Sequence, residues 1–126
     1  MKIAIMKLGD VLITAIPVDL TDEDAVQFQH DLLHEINNRD ARGVIVDISA
    51  LDLVDSFMAR IINDSATMAG LLGAKVVVCG MRPQIGTTLI EMGRELLGVE
   101  TALNLDLAMA QVLAMIHGDS DAKSDG

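Results

Sequence analysis

The sequence predicts an α/β fold: a mixed, mostly parallel sheet of four to five strands with about four helices, in the order ββαβαβα(β)α. Two apolar runs, Gly43-Val44-Ile45-Val46-Asp47-Ile48 and Ala74-Lys75-Val76-Val77-Val78-Cys79-Gly80, are nearly unbroken, as in strands covered on both faces. Segments with apolar residues at helical spacing alternate with them, which implies right-handed crossovers between parallel strands. Two β-type runs open the chain, Ile3 to Leu8 and Val11 to Ile16, and add an antiparallel edge.

Gly9-Asp10 between these runs suits a tight hairpin of the II′ type, and Pro17 ends the second strand. Thr21 reads as a helix cap, followed by Asp22, Glu23 and Asp24 at the positive end of the helix dipole. Ala25, Phe28, Leu32 and Ile36, with Val26 and Leu33, give that helix its apolar side until Asn37-Asn38-Arg39-Asp40 breaks the pattern. After the next strand comes an acidic turn, Ser49-Ala50-Leu51-Asp52-Leu53. A second helix follows from Met58 to about Leu72, with Gly73 at its C-terminus. Pro83 suits the first turn of a third helix that runs to about Met92. Val99 belongs to a short edge strand, and Leu103 to Ile116 reads as a last amphipathic helix. Residues 1–117 thus form one domain. Residues 118–126, polar and without periodicity, are expected to be a disordered acidic tail.

A chain of 126 residues with 51% hydrophobic composition can bury a sizeable core, which must be aliphatic because it holds two Phe and no Tyr or Trp. The net charge of −10 opposes a phosphate backbone, and the scarcity of aromatics removes stacking platforms; nucleic acid is therefore a poor partner. The single cysteine makes no internal disulfide and agrees with a reducing compartment. The apolar start Met1 to Met6 is too short for a signal peptide, and no run approaches the roughly 20 residues of a membrane span. The expectation is a cytoplasmic protein away from the membrane.

Several constellations could carry chemistry. His30 and His34 stand four apart in His30-Asp31-Leu32-Leu33-His34, like the zinc-protease pattern with Asp for Glu. Both lie opposite the apolar stripe, so an exposed polar face is the favoured reading and no metal is expected. Cys79 closes a buried strand and reads as a small core hydrophobe, with a nucleophile as the alternative. Gly80 to Gly86 follows a strand and opens a helix, but it lacks the G-x-G-x-x-G and Walker patterns and reads as a plain junction. Asp47, Asp52 and Asp55 suggest a Mg²⁺ or phosphoaspartate site only loosely, and Asp55 alone fits an N-cap. No cofactor is expected.

Ser56 remains. It sits at the seam between the acidic turn and a helix N-terminus, where backbone N–H groups point outward. On a helical wheel Phe57, Met58, Ile61, Ile62, Ser65, Met68, Ala69 and Leu72 fill one side. Ser56, Ala59, Arg60, Asn63, Thr67 and Gly70 fill the other. That second side is mostly small and carries few charges, which suits close approach by another protein. An ordinary exposed face with a capping serine is the rival reading.

The span from Ile3 to about His117 resembles the STAS domain family. The segments Val46 to Ser49, Val54 to Phe57 and Leu71 to Pro83 are most similar to its stressosome branch, of the RsbS type. Antagonists of the SpoIIAA and RsbV type usually carry Asp-Ser-Ser-Gly where this chain has Asp55-Ser56-Phe57-Met58, which favours the stressosome branch. RsbR-type relatives carry an additional N-terminal sensor domain, for which this chain has no room. The resemblance implies a non-enzymatic scaffold with the STAS fold, phosphorylated on Ser56 by an RsbT-like serine/threonine kinase. It also implies dephosphorylation by an RsbX-like phosphatase and a homo-oligomer or large hetero-assembly with RsbR-like STAS proteins. The kinase-binding residues would be Asp55, Ser56, Ala59, Arg60, Asn63 and Thr67. Thr88, beside Thr87, is the nearest match to the second phosphorylated threonine of RsbR-type chains. Alternatives are an anti-sigma factor antagonist that binds its kinase directly, a transporter-associated STAS domain, and an enzyme built on Cys79 or the aspartates.

Overall fold

The computed structural model describes residues 3–85 and 99–124. The opening hairpin pairs β1 (Ile5–Leu8) with β2 (Val11–Ala15), in register from Ile5 opposite Thr14 to Leu8 opposite Val11. Gly9 takes the positive φ of 61° that a II′ turn requires at this position. Helix α1 (Asp22–Arg39) starts at a capping box: Thr21 Oγ1 accepts from the Asp24 N–H at 3.1 Å, and Asp24 Oδ2 accepts from the Thr21 N–H at 3.3 Å. It buries Ala25, Phe28, Leu32 and Ile36, the expected stripe, while Val26 faces outward. Then follow β3 (Gly43–Asp47), α2 (Ser56–Leu71), β4 (Lys75–Cys79), β5 (Glu100–Ala102) and α3 (Leu105–Ser124). Residues 83–85 are helical and begin the helix expected at Pro83; its remainder, with Thr87 and Thr88, lies outside the described residues.

The sheet order is β1-β2-β3-β4-β5, with β1 antiparallel and the rest parallel. Because successive parallel strands are neighbours and each step moves the same way, right-handed crossovers place α1 and α2 on one face of the sheet. Leu12, Val44, Val46, Val76 and Val78 pack there with Phe28, Leu32, Ile36, Ile62 and Ile85. The alternate residues Val11, Ile45, Val77 and Cys79 point to the opposite face, where α3 supplies Ala108, Val112 and Ile116. This two-sided burial explains why β3 and β4 are apolar at almost every position.

Two boundaries differ from expectation. The edge strand starts at Glu100, just after Val99. Helix α3 continues to Ser124, so the boundary expected at His117 falls inside a helix and residues 118–124 are not an irregular tail. Loss of apolar periodicity marks where a helix stops packing, not where its backbone must stop, because propagation from a formed helix needs no new nucleus.

The seat of α3 is tight at Gly43, where a Cβ would come within 2.7 Å of Val112 Cγ2 and 3.0 Å of Ile116 Cδ1. Gly43→Ala should lower the unfolding free energy by about 1–3 kcal/mol through overpacking. Urea titration should show a lower midpoint with an unchanged slope.

Candidate functional site

The site is built where β3 ends and α2 begins. Ile48, Leu51 and Val54 are buried at 1%, 4% and 2% exposure, and they pin the connecting loop to the core. Beside them Asp52, Leu53 and Asp55 stand outward, with Leu53 76% exposed. The loop is therefore rigid beneath and displays two acids and one large apolar side chain above.

Helix α2 begins at Ser56, two residues before the start expected at Met58. Asp55 is the N-cap, its Oδ1 accepting from the Met58 N–H at 2.8 Å. Ser56 occupies the first helical position and is exposed, so capping falls to the aspartate and not to the serine. It lies in the first turn of a helix, where the dipole is positive, one residue after the capping Asp55.

The outward face of α2 is rotated from the one expected. Ala59 is fully buried, with Ile62, Ala66 and Ala69, so it is not part of a partner-binding surface. Met68 and Leu72, read as core, are exposed at 39% and 48%. Alanine says little in a hydrophobic pattern, yet here small side chains let α2 lie close on the core, which turns the bulkier Met68 and Leu72 outward. The exposed face holds Ser56, Arg60, Asp64, Thr67 and Leu71, with Asn63 half-buried at its edge. It is thus neither small nor charge-poor: it carries charges of both signs and ends in Leu71, 83% exposed. Ser65 is buried, donating to the Ile61 carbonyl at 2.6 Å and accepting from Gln29 Nε2 at 3.2 Å.

The three aspartates do not converge. Asp47 Oδ1 accepts from the Ser49 N–H at 2.9 Å, Asp52 pairs with Arg82, and Asp55 caps α2. Among the described residues no group of three His, Cys, Asp or Glu is arranged to hold a metal ion. His30 and His34 are exposed on α1, and His34 Nε2 lies 2.9 Å from Asn38 Nδ2. A surface groove of about 450 Å³ runs between the N-terminal strand and α1, lined by Ile3, Ala4, Ile5, Asp31, His34, Glu35 and Arg39. Neither Ser56, Cys79 nor any of the three aspartates borders it.

Cys79 is 1% exposed, and burial, reinforced by the charge of Asp47, pushes its thiol up to about 11 from an ordinary value of 9.0. It is a protonated core side chain at neutral pH and no nucleophile. The folded thiol holds its proton more tightly than the unfolded one, so its stabilising effect is complete below pH 9 and is lost as pH rises through 11. The stability advantage of the parent over Cys79→Ala should shrink by about 1–3 kcal/mol across that window, read from urea midpoints at each pH.

The STAS domain family matches residues 2–108. Moorella thermoacetica RsbS, in a structure carrying a serine-to-glutamate substitution, is 35% identical, with 93% of this chain and 99% of that one covered and a TM-score of 0.83. A chain from a structure of the stressosome, described as a signal integration and transduction hub, is 36% identical over 89% of this chain and 97% of that one, with a TM-score of 0.76. The RsbT co-antagonist protein RsbRA of Bacillus subtilis is 29% identical over 122 residues. That match takes in 90% of this chain but only 44% of the relative, so the chain spans less than half the length of that protein. No helix among the described residues is long and apolar enough to cross a membrane. With residues 2–108 matched by the family and a TM-score of 0.83 to an RsbS, the chain belongs to the STAS domain family.

Proposed function

We propose that this chain is a non-catalytic, phosphorylatable scaffold of a stressosome-type particle in the cytoplasm. In this reading it assembles with RsbR-like STAS proteins, holds an RsbT-like kinase, and releases that kinase when Ser56 is phosphorylated. An RsbX-like phosphatase resets it. The observation that carries the reading is an exposed serine at the first position of a helix that another residue caps, in a chain 35% identical to an RsbS over 93% of its length.

The kinase would dock on the loop and the outward face of α2, with Leu53, Asp55, Ser56, Arg60 and Thr67 in contact and Asn63 at the margin. Leu53 supplies the apolar anchor that such an interface needs near its centre. Phosphorylation adds about −1.5 to −2 charges. The helix N-terminus favours the phosphate by about 0.3–1 kcal/mol at an exposed site, and Asp55 opposes it. Asp52 opposes it less than its sequence position suggests, because Arg82 already pairs with it. In solution these effects nearly cancel. In a docked complex the dianion must shed water against a surface shaped for a neutral hydroxyl, and that penalty dominates.

Purified Ser56→Ala should bind the RsbT-type kinase of the same genome like the parent, whereas Ser56→Asp should bind at least tenfold more weakly by titration calorimetry. Equal binding of Ser56→Asp and parent defeats the reading. The circular dichroism of the phosphorylated and unmodified chains should coincide; a large loss of helical signal would mean that the switch melts α2 instead.

A further inference from the structure

Two loops leave the C-terminal ends of neighbouring parallel strands, one from β3 toward Ser56 and one from β4 toward residue 83. They are joined by more than proximity. The Arg82 guanidinium donates from Nε to the Ser49 carbonyl at 3.1 Å and from Nη1 to the Asp52 carboxylate. Gly80, at φ 76°, lets the strand ends close up: a Cβ there would meet Asp47 Oδ1 and Ser49 Cβ, each at 2.8 Å. Asp47 Oδ1 in turn holds the Ser49 N–H. Ser49 is thus gripped at both its N–H and its carbonyl, and the second grip comes from a residue 33 positions away.

The structure assigns Arg82, we infer, as the positioning residue of the phosphoacceptor loop. One planar side chain fixes the loop's backbone at Ser49 and neutralises Asp52 four residues before Ser56. This rests on the reading of Ser56 as the acceptor and deepens it. Two consequences follow from the chemistry. With Arg82 in place, the loop between the pinned residues Ile48 and Val54 keeps the shape that a kinase must recognise. With Asp52 paired, one fewer free carboxylate repels the polyphosphate of the incoming ATP. Arg82 is half exposed, so its ion pair adds little to global stability. Its effect should appear in loop order and phosphorylation rate, not in the melting temperature. Lysine cannot replace it fully, since a single ammonium does not span the carbonyl and the carboxylate with the geometry of a guanidinium.

The test compares the parent with Arg82→Ala, Arg82→Lys and the double variant Arg82→Ala/Asp52→Asn. Hydrogen exchange, measured without kinase, should show faster exchange of the amides of residues 49–53 in Arg82→Ala, with melting within about 2 °C of the parent. Phosphorylation of Ser56 by the RsbT-type kinase of the same genome, with ATP, should slow at least fivefold in Arg82→Ala. Removing the unpaired acid in the double variant should recover part of that loss, and Arg82→Lys should fall between parent and alanine. Unchanged exchange and unchanged rate in Arg82→Ala overturn the assignment, as does a rate loss that Asp52→Asn leaves untouched. If the parent itself takes no phosphate at Ser56, the functional reading fails, while the exchange experiment still decides whether Arg82 orders the loop.

Discussion

The parallel pairing of β3 with β4 is the constraint from which the rest follows. Their register runs from Gly43 opposite Lys75 to Asp47 opposite Cys79, and the ladder extends one step further through the Ile48 N–H bonded to the Cys79 carbonyl at 2.9 Å. Parallel neighbours must send their chains out at the same edge of the sheet. The loop that leads to Ser56 and the loop that carries Gly80 and Arg82 therefore emerge side by side. The consecutive strand order also sends α1 and α2 to one face and leaves the other to α3. A surface loop held from beneath by Leu51 and Val54, and from the side by Arg82, is a consequence of that topology.

The same arrangement would separate stability from the proposed signalling. The apolar residues of β3 and β4 are committed to the core on both faces, and Cys79 joins them as an inert thiol. What remains exposed is the seam above the sheet and the outward side of α2. Those surfaces combine an apolar anchor at Leu53 and another at Leu71 with charges of both signs at Asp55, Arg60 and Asp64. A mixed surface of this kind is better read by a folded partner of matching shape than by a polyanion or a membrane, and the overall charge of −10 argues the same way.

Most of the fold was legible because its strands are long apolar runs and α1 is capped and striped in the ordinary way. The hairpin at Gly9-Asp10, the cap at Thr21 and the strand through Val76 to Cys79 all rest on local chemistry. The face of α2 was legible only in part: Ile61, Ile62, Ser65 and Ala69 are buried as expected, but the buried stripe is largely alanine and serine. A wheel weighted by bulky residues then places Met68 and Leu72 inside and Ala59 outside, the reverse of what packing selects. The end of α3 was missed because the criterion used, apolar periodicity, reports packing and not backbone conformation. Ser56 was singled out from its place at a helix start, but the contacts of its neighbours run between distant segments. Arg82 reaches Asp52 across 30 residues, and no spacing rule encodes that.

The division of labour between Asp55 and Ser56 bears on how a helix start could serve as the proposed switch. A serine at the N-cap would accept a backbone N–H through its hydroxyl oxygen, and esterifying that oxygen would tie the helix's stability to the modification state. Here the aspartate takes the Met58 N–H, and the serine stands one position further on, outside that hydrogen bond. Charge can then be added or removed at Ser56 while the cap persists, Val54 stays buried and the loop keeps its tie to Arg82. In the proposed switch the fold would be the same in both states, and only the surface offered to a partner would differ. Such a switch would need no bistable core: the free energy that decides binding would lie in desolvating the dianion at the interface, not in rearranging the domain.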